Sequence, residues 1–198
     1  MSRLFIFFSL LGFSLTVSAE PSAREVTEVL QRDFKARGQA TMDRVVQDGL
    51  QRICTETHDK PPADLAKRLE ADQMKTIVYP SGSLMGDWKR GEKMAQSGRG
   101  AMWSDKAGVA AGGSCYNCHQ ISPQETSHGT IGPSLLAFGK KRGNGIEMQR
   151  YVYGKIYNSK AYNACSQMPR LGYSGTLTEE QIKDFTALLL HPESPVNK

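Results

Sequence analysis

The sequence predicts an all-α protein, and three observations carry that expectation. Apolar residues recur at helical spacing, polar side chains sit where helix caps belong, and no βαβ pattern surrounds the chemical motifs. In residues 25–75, Val26, Val29, Leu30 and Phe34 share one face, and Met42, Val45, Val46, Leu50 and Ile53 continue the periodicity. Two or three amphipathic helices are expected there, with Pro61 and Pro62 interrupting the pattern before it resumes over 64–74. Residues 79–85 hold Pro80, Ser81, Gly82 and Ser83 and read as a connector. Asp87 then caps a predicted helix through Trp88, Arg90, Gly91 and Met94. Gly91 costs that helix about 1 kcal/mol relative to Ala, so it is expected to admit the close approach of another element. Thr178 and Gln181 form a capping box flanked by the staple pair Leu177 and Ile182. Ile182, Phe185, Leu188 and Leu189 line one face of the helix that follows, which ends at His191 and Pro192. Gly91 is predicted to lie against this Phe185 helix.

Cys115, Cys118 and His119 make a CxxCH motif. Two thiols at this spacing can add across the vinyl groups of one haem, and the adjacent imidazole reaches its iron. One covalently attached haem c is therefore the expected cofactor, with His119 as the proximal ligand. A thioredoxin-like dithiol or half of a zinc site is the competing reading, and the chain has no second CxxC to complete a zinc site. Pro133, in a Gly-Pro turn after the motif, is expected to offer its carbonyl to the proximal imidazole N–H; a simple turn is the plainer alternative.

Covalent attachment of this kind takes place outside the cytoplasm, and the N-terminus agrees. Arg3 precedes an apolar run over 4–17, and Val17, Ser18 and Ala19 make a small-residue cleavage site before Glu20. Cleavage after Ala19 would leave about 180 residues, periplasmic in a Gram-negative source. A retained membrane anchor is the alternative, but the run is short for a spanning helix. Expected boundaries are 1–19 for the signal, 20–85 for a helical extension and connector, 86–191 for the haem unit and 192–198 for a tail. Removing Arg3 leaves 24 basic against 20 acidic residues, a balance that argues against nucleic acid as a partner and against strong adhesion to anionic lipid. Lys140, Lys141 and Arg142 are clustered all the same, as a solvated loop or a docking surface.

The sixth ligand separates an electron carrier from a haem that binds substrate. Met168 is the leading candidate, because the following Pro169 pushes it out of helical geometry into an extended loop. Thioether ligation favours Fe(II) and leaves no open position. A core role is the alternative for any of the eight methionines, and Met148 reads as core. His128 is the rival ligand, but only nine residues separate it from His119. His58 and His191 read as helix-end residues.

The glycine-bearing helix and the Phe185 helix together resemble the crossed pair of class I cytochromes c. More narrowly, GGSCYNCHQI at 112–121, GTIGPSLLAFGKKRG at 129–143 and MPRLGYSGTLTEEQI at 168–182 resemble the SoxX family, monohaem cytochrome c subunits of the SoxAX sulfur-oxidation complex. The resemblance covers about half of the chain, and the N-terminal helices are an extension to it. It implies a class I cytochrome c-like domain in a heterodimer with a SoxA-like haem subunit, where thiosulfate is oxidatively coupled to a cysteine of a SoxYZ-like carrier. Electrons would pass through this chain to a soluble cytochrome c. The resemblance assigns haem attachment to Cys115 and Cys118, axial ligation to His119 and Met168, and no catalytic nucleophile to this chain. A generic periplasmic electron shuttle, or a haem enzyme or sensor with an open sixth position, are the alternatives.

Cys54 and Cys165 remain. Leftover thiols in an oxidising compartment are expected to pair, closing a loop of about 110 residues and clamping the extension onto the Met168 loop. Two separate buried thiols, or a reactive Cys165, are the other readings.

Overall fold

The computed structural model describes residues 21–198; the expected signal segment and its cleavage site lie outside the described residues. Seven α-helices are present among them: α1 (Ala23–Asp33), α2 (Gly49–Glu56), α3 (Ala63–Met74), α4 (Trp88–Gln96), α5 (Phe138–Arg142), α6 (Ile146–Tyr157) and α7 (Glu179–Leu190). Short 3-10 turns punctuate the irregular stretches, and no β-strand occurs among the described residues. The protein is all-α.

Among the described residues, 21–35 form one unit and 36–198 another. In the first, Ser22 and Glu25 close a capping box on α1, yet the helix buries none of its residues, and Val26, Val29 and Phe34 are exposed. In the second, α2 and α3 belong with the segment that contains CxxCH, so the compact unit begins at Ala36 and not at the connector near Gly86. Covalent and polar ties explain the difference. Cys54 of α2 is bonded to Cys165 (S–S 2.08 Å), and Asn158 donates to Gln73 and Thr76 at 3.0 and 2.9 Å.

The two or three helices expected over 25–75 are present as α1, α2 and α3, and the apolar periodicity over 42–53 is divided between two elements. Met42–Val45 is a 3-10 turn, and Asp48 starts a new helix by accepting from Gln51 N (2.8 Å) while Gln51 Oε1 accepts from Asp48 N (2.9 Å). A reciprocal cap satisfies two donors that would otherwise be orphaned, and it outcompetes continuation of the apolar periodicity through β-branched Val45 and Val46.

The core lies between α4, α6 and α7. Leu84, Ala95, Val152, Tyr153, Ile156, Ile182, Phe185 and Leu188 are its buried residues, with Leu177 beside Ile182 at the start of α7. Gly91 meets α7 as expected: a Cβ there would stand 2.3 Å from the Asp184 carbonyl oxygen and 3.2 Å from Leu188 Cβ. Beside this contact, the buried Asp184 carboxylate accepts from Asp87 N (2.7 Å) and from Arg90 Nε and Nη2 (2.7 and 2.8 Å). Three donors leave this buried charge fully paired, and all three come from the first turn of α4 and its cap.

Two stability predictions follow from these contacts. Gly91→Val should lower unfolding stability by about 2 kcal/mol in urea titration, because backbone has to move; Gly82→Ala, with open space around it, should change it by less than about 0.5 kcal/mol. Removing the long-range cross-link with Cys54→Ser and Cys165→Ser together should cost about 5 kcal/mol by the chain-entropy relation, read as a lower urea midpoint.

Candidate functional site

The α4–α7 crossing places the CxxCH segment through its backbone. Gly113 N donates to Met94 O (2.9 Å), Gly112 N to Arg99 O (2.8 Å) and Ser114 N to Ser97 O (3.0 Å), so the strand of chain entering the motif is strapped to the end of α4. From the other side, Gln181 Nε2 of α7 donates to Ala111 O (2.6 Å), and a Cβ on Gly113 would meet Phe185 Cζ at 2.7 Å and Cys115 Sγ at 2.8 Å. Ser114 adopts the left-handed conformation (φ 49°) and turns the chain into a 3-10 turn over Cys115–Asn117. Cys118 N and His119 N both donate to Cys115 O, at 3.2 and 2.9 Å. That single turn sets the spacing of the two thiols and the imidazole.

Residues after the motif fold back on it. Gly129 N donates to Tyr116 O, Gly132 N to Cys118 O and Leu135 N to Gln120 O, each at 2.8 Å. Pro133 O is thereby brought to 2.7 Å from His119 Nδ1. A carbonyl oxygen only accepts, so Nδ1 is the donor in this contact, and in the neutral ring the lone pair lies on Nε2. Glycines make this possible. A Cβ on Gly132 would fall 2.2 Å from His119 Cε1, and one on Gly129 would fall 1.9 Å from Asn117 O.

Cys115 and Cys118 are free thiols. Burial pushes the Cys115 thiol up to about 12. An activated dithiol needs the opposite shift, so thioredoxin-like chemistry is disfavoured. Around the same core cluster, Cys115, Leu135, Phe138, Met148, Tyr157, Met168 and Leu171 are left partly exposed. Ile131 is 80% exposed beside Gly132. Two free thiols and one imidazole on a single turn, set among half-covered apolar side chains, are a donor set that fits a covalently held haem. Met148, on α6, packs on the core as expected, and Met168 borders the same cluster.

Met168 stands in an irregular stretch between the 3-10 turn Ser159–Ala161 and α7. Ser159 Oγ donates to Met168 O, and Ser166 Oγ accepts from Met168 N (3.3 Å). Arg170, two residues on, pairs with Asp48 at the start of α2. Burial opposes the Asp48 charge, but the Gln51 amide and the Arg170 guanidinium outweigh it and hold its carboxyl below the usual range. Lys160 is buried, with Nζ donating to Ala164 O (3.3 Å); burial first, then the Arg170 charge, pushes it below the usual ammonium range.

Other titratable candidates stand apart. His128 Nδ1 lies 3.2 Å from Gly129 O, His58 is an exposed turn residue with φ 48°, and His191 ends α7 with its ring 6.5 Å from that of Trp88. Lys140, Lys141 and Arg142 form the exposed last turn of α5, where cations suit the helix dipole. Cys54, Asp59 and Cys165 have metal-ligand spacing, but both sulfurs are spent in the disulfide, so this group has no thiolate to give. Asp48, Arg170 and Gly113 have no place in the sequence-based expectations, whereas Gly129 and Gly132 belong to the turn expected to carry Pro133; the glycine density flanking CxxCH is the visible signal for Gly113.

No family model matches the sequence. Over 156 residues the chain is 39% identical to an uncharacterized lipoprotein of Aquifex aeolicus (strain VF5), spanning 77% of this chain and 73% of that protein. The chain belongs to that lipoprotein's family. Among the described residues no helix is long and apolar enough to cross a membrane.

The glycine cradle can be tested directly. Gly132→Ala should push the His119 ring off the Pro133 carbonyl, seen by nitrogen-15 NMR as loss of the single Nδ1–H tautomer, while Gly82→Ala, where a Cβ meets open space, should leave the ring signals in place.

Proposed function

We propose that this chain is an electron-transfer cytochrome c with a class I-like haem domain. Cys115 and Cys118 would hold one haem c as thioethers, with His119 Nε2 and Met168 as axial ligands. The observation that carries this reading is the His119 Nδ1 contact with Pro133 O at 2.7 Å, which leaves the Nε2 lone pair free beside two unbonded thiols. When bound, the haem would supply reversible one-electron chemistry between Fe(III) and Fe(II).

The protein's own residues account for the rest. Pro133 O fixes the imidazole tautomer and increases its basicity. The thioether of Met168 would close the sixth position and favour the reduced state. Apolar side chains around Cys115 would exclude water from the porphyrin face. No nucleophile is needed from this chain.

The SoxX-like segments extend the reading to a subunit of a SoxAX-type complex in the cell envelope, where the lipoprotein name of the relative also points. In that role the chain would pair with a SoxA-like haem subunit and serve thiosulfate coupling to a SoxYZ-like carrier cysteine. It would deliver the electrons to a soluble cytochrome c. The basic turn Lys140–Arg142 would offer a docking surface for acidic partners. Co-purification with a larger cytochrome supports the complex; elution alone supports a generic periplasmic shuttle.

Absorption spectra test the haem reading. The protein purified from a host that matures c-type cytochromes should be coloured and show the weak far-red band of methionine bound to ferric iron. Met168→Ala should lose that band and, once reduced, bind carbon monoxide, which the wild type should not. A colourless protein, or an unchanged Met168→Ala spectrum, overturns the assignment.

A further inference from the structure

We infer that the helical segment from Asp48 to Thr76 is a splint that holds the Met168 loop in ligand geometry, with Asp48 and the Cys54–Cys165 bond as its principal positioning contacts. The inference rests on the proposed axial role of Met168. It gives the N-terminal extension a task toward the haem that none of its residues could perform by contact chemistry.

The ties bracket the methionine. Three residues before it, Cys165 is bonded to Cys54 in α2. One residue before it, Gln167 Nε2 donates to Asp59 Oδ2 at 3.0 Å. Two residues after it, the largely buried Arg170 side chain pairs with Asp48, the N-cap of α2. One turn earlier in the loop, Ala164 N donates to Glu70 Oε1 of α3 (3.1 Å). Both flanks of Met168 are therefore fastened to one pair of helices, while the methionine itself is left to pack on the apolar core that also borders Cys115.

The physical need is clear. Fixing each irregular residue costs about 1 to 2 kcal/mol of backbone entropy, and a loop free to open would exchange its thioether for water or hydroxide. Tethers that order the loop before ligation remove that cost from the ligand bond. Two of the tethers also differ in kind, one covalent and one ionic, so loss of either leaves the other in place.

The test uses the haem-loaded full chain as purified, with Asp48→Asn, Arg170→Gln, the double variant Cys54→Ser/Cys165→Ser, and Lys75→Gln as an exposed control on the far end of α3. Haem content per chain should stay at the wild-type value. The pH midpoint at which the far-red band disappears should fall by about one unit in the splint variants, a tenfold weakening of the methionine against its competitor. Their reduction potential should fall as well, and Asp48→Glu should restore part of both. Lys75→Gln should move neither. If Asp48→Asn fails to accumulate, Gln167→Ala removes an exposed tie and gives the same readouts with a smaller shift. Haem-loaded variants whose band midpoint and potential match the wild type overturn the splint and leave the electron-transfer reading standing. A wild type without haem or without the far-red band overturns both.

Discussion

The closest approach of α4 to α7, where Gly91 admits the Asp184 carbonyl, is the constraint on which the rest of the site depends. Had any side chain stood at Gly91, the two helices would separate, and both straps on the CxxCH segment would lose their anchor. One strap runs from the end of α4 through Met94 and Ser97, the other from α7 through Gln181 and Phe185. Paired buried charge at Asp184 reinforces the crossing with direction as well as attraction, since its donors all come from the start of α4. The helix pair thus acts as a frame, and the motif hangs from it by main-chain hydrogen bonds on the α4 side and by the Gln181 and Phe185 side chains on the α7 side.

Backbone placement has a chemical result at His119. The return segment is pinned to the motif at Tyr116, Cys118 and Gln120, and that register alone brings a carbonyl to the imidazole. A ring held in one tautomer meets a metal with its lone pair already aimed, at no further ordering cost. Under the proposed reading, the proximal side is organised by glycine and backbone, and the distal side by long-range side-chain ties.

Much of this was legible from residues whose chemistry is local. The capping boxes at Thr178 and Asp87's cap depend on three or four neighbouring residues, and the expected helix starts agree with the observed ones. Gly91 stood out because a helix-interior glycine needs a reason. The start of α2 at Asp48 is less legible, because its D-x-x-Q pattern lies inside an apolar periodicity that runs on through 42–53. Arg170 and Asp48 are 122 positions apart, and charge in a sequence does not announce a partner at that distance. The boundary near Gly86 followed composition, whereas the compact unit follows contacts that run from α2 and α3 across the connector.

Four cysteine sulfhydryls on one chain can join in three ways as two bonds, and only the pairing of residues 54 and 165 alone leaves the central couple intact. Burial of Cys115 offers a sorting device. With its acidity suppressed by burial, Cys115 carries little of the reactive sulfide anion near neutrality and is a poor attacker in exchange once the chain has folded. The same apolar packing that half-covers this residue therefore also favours the fidelity of its oxidation.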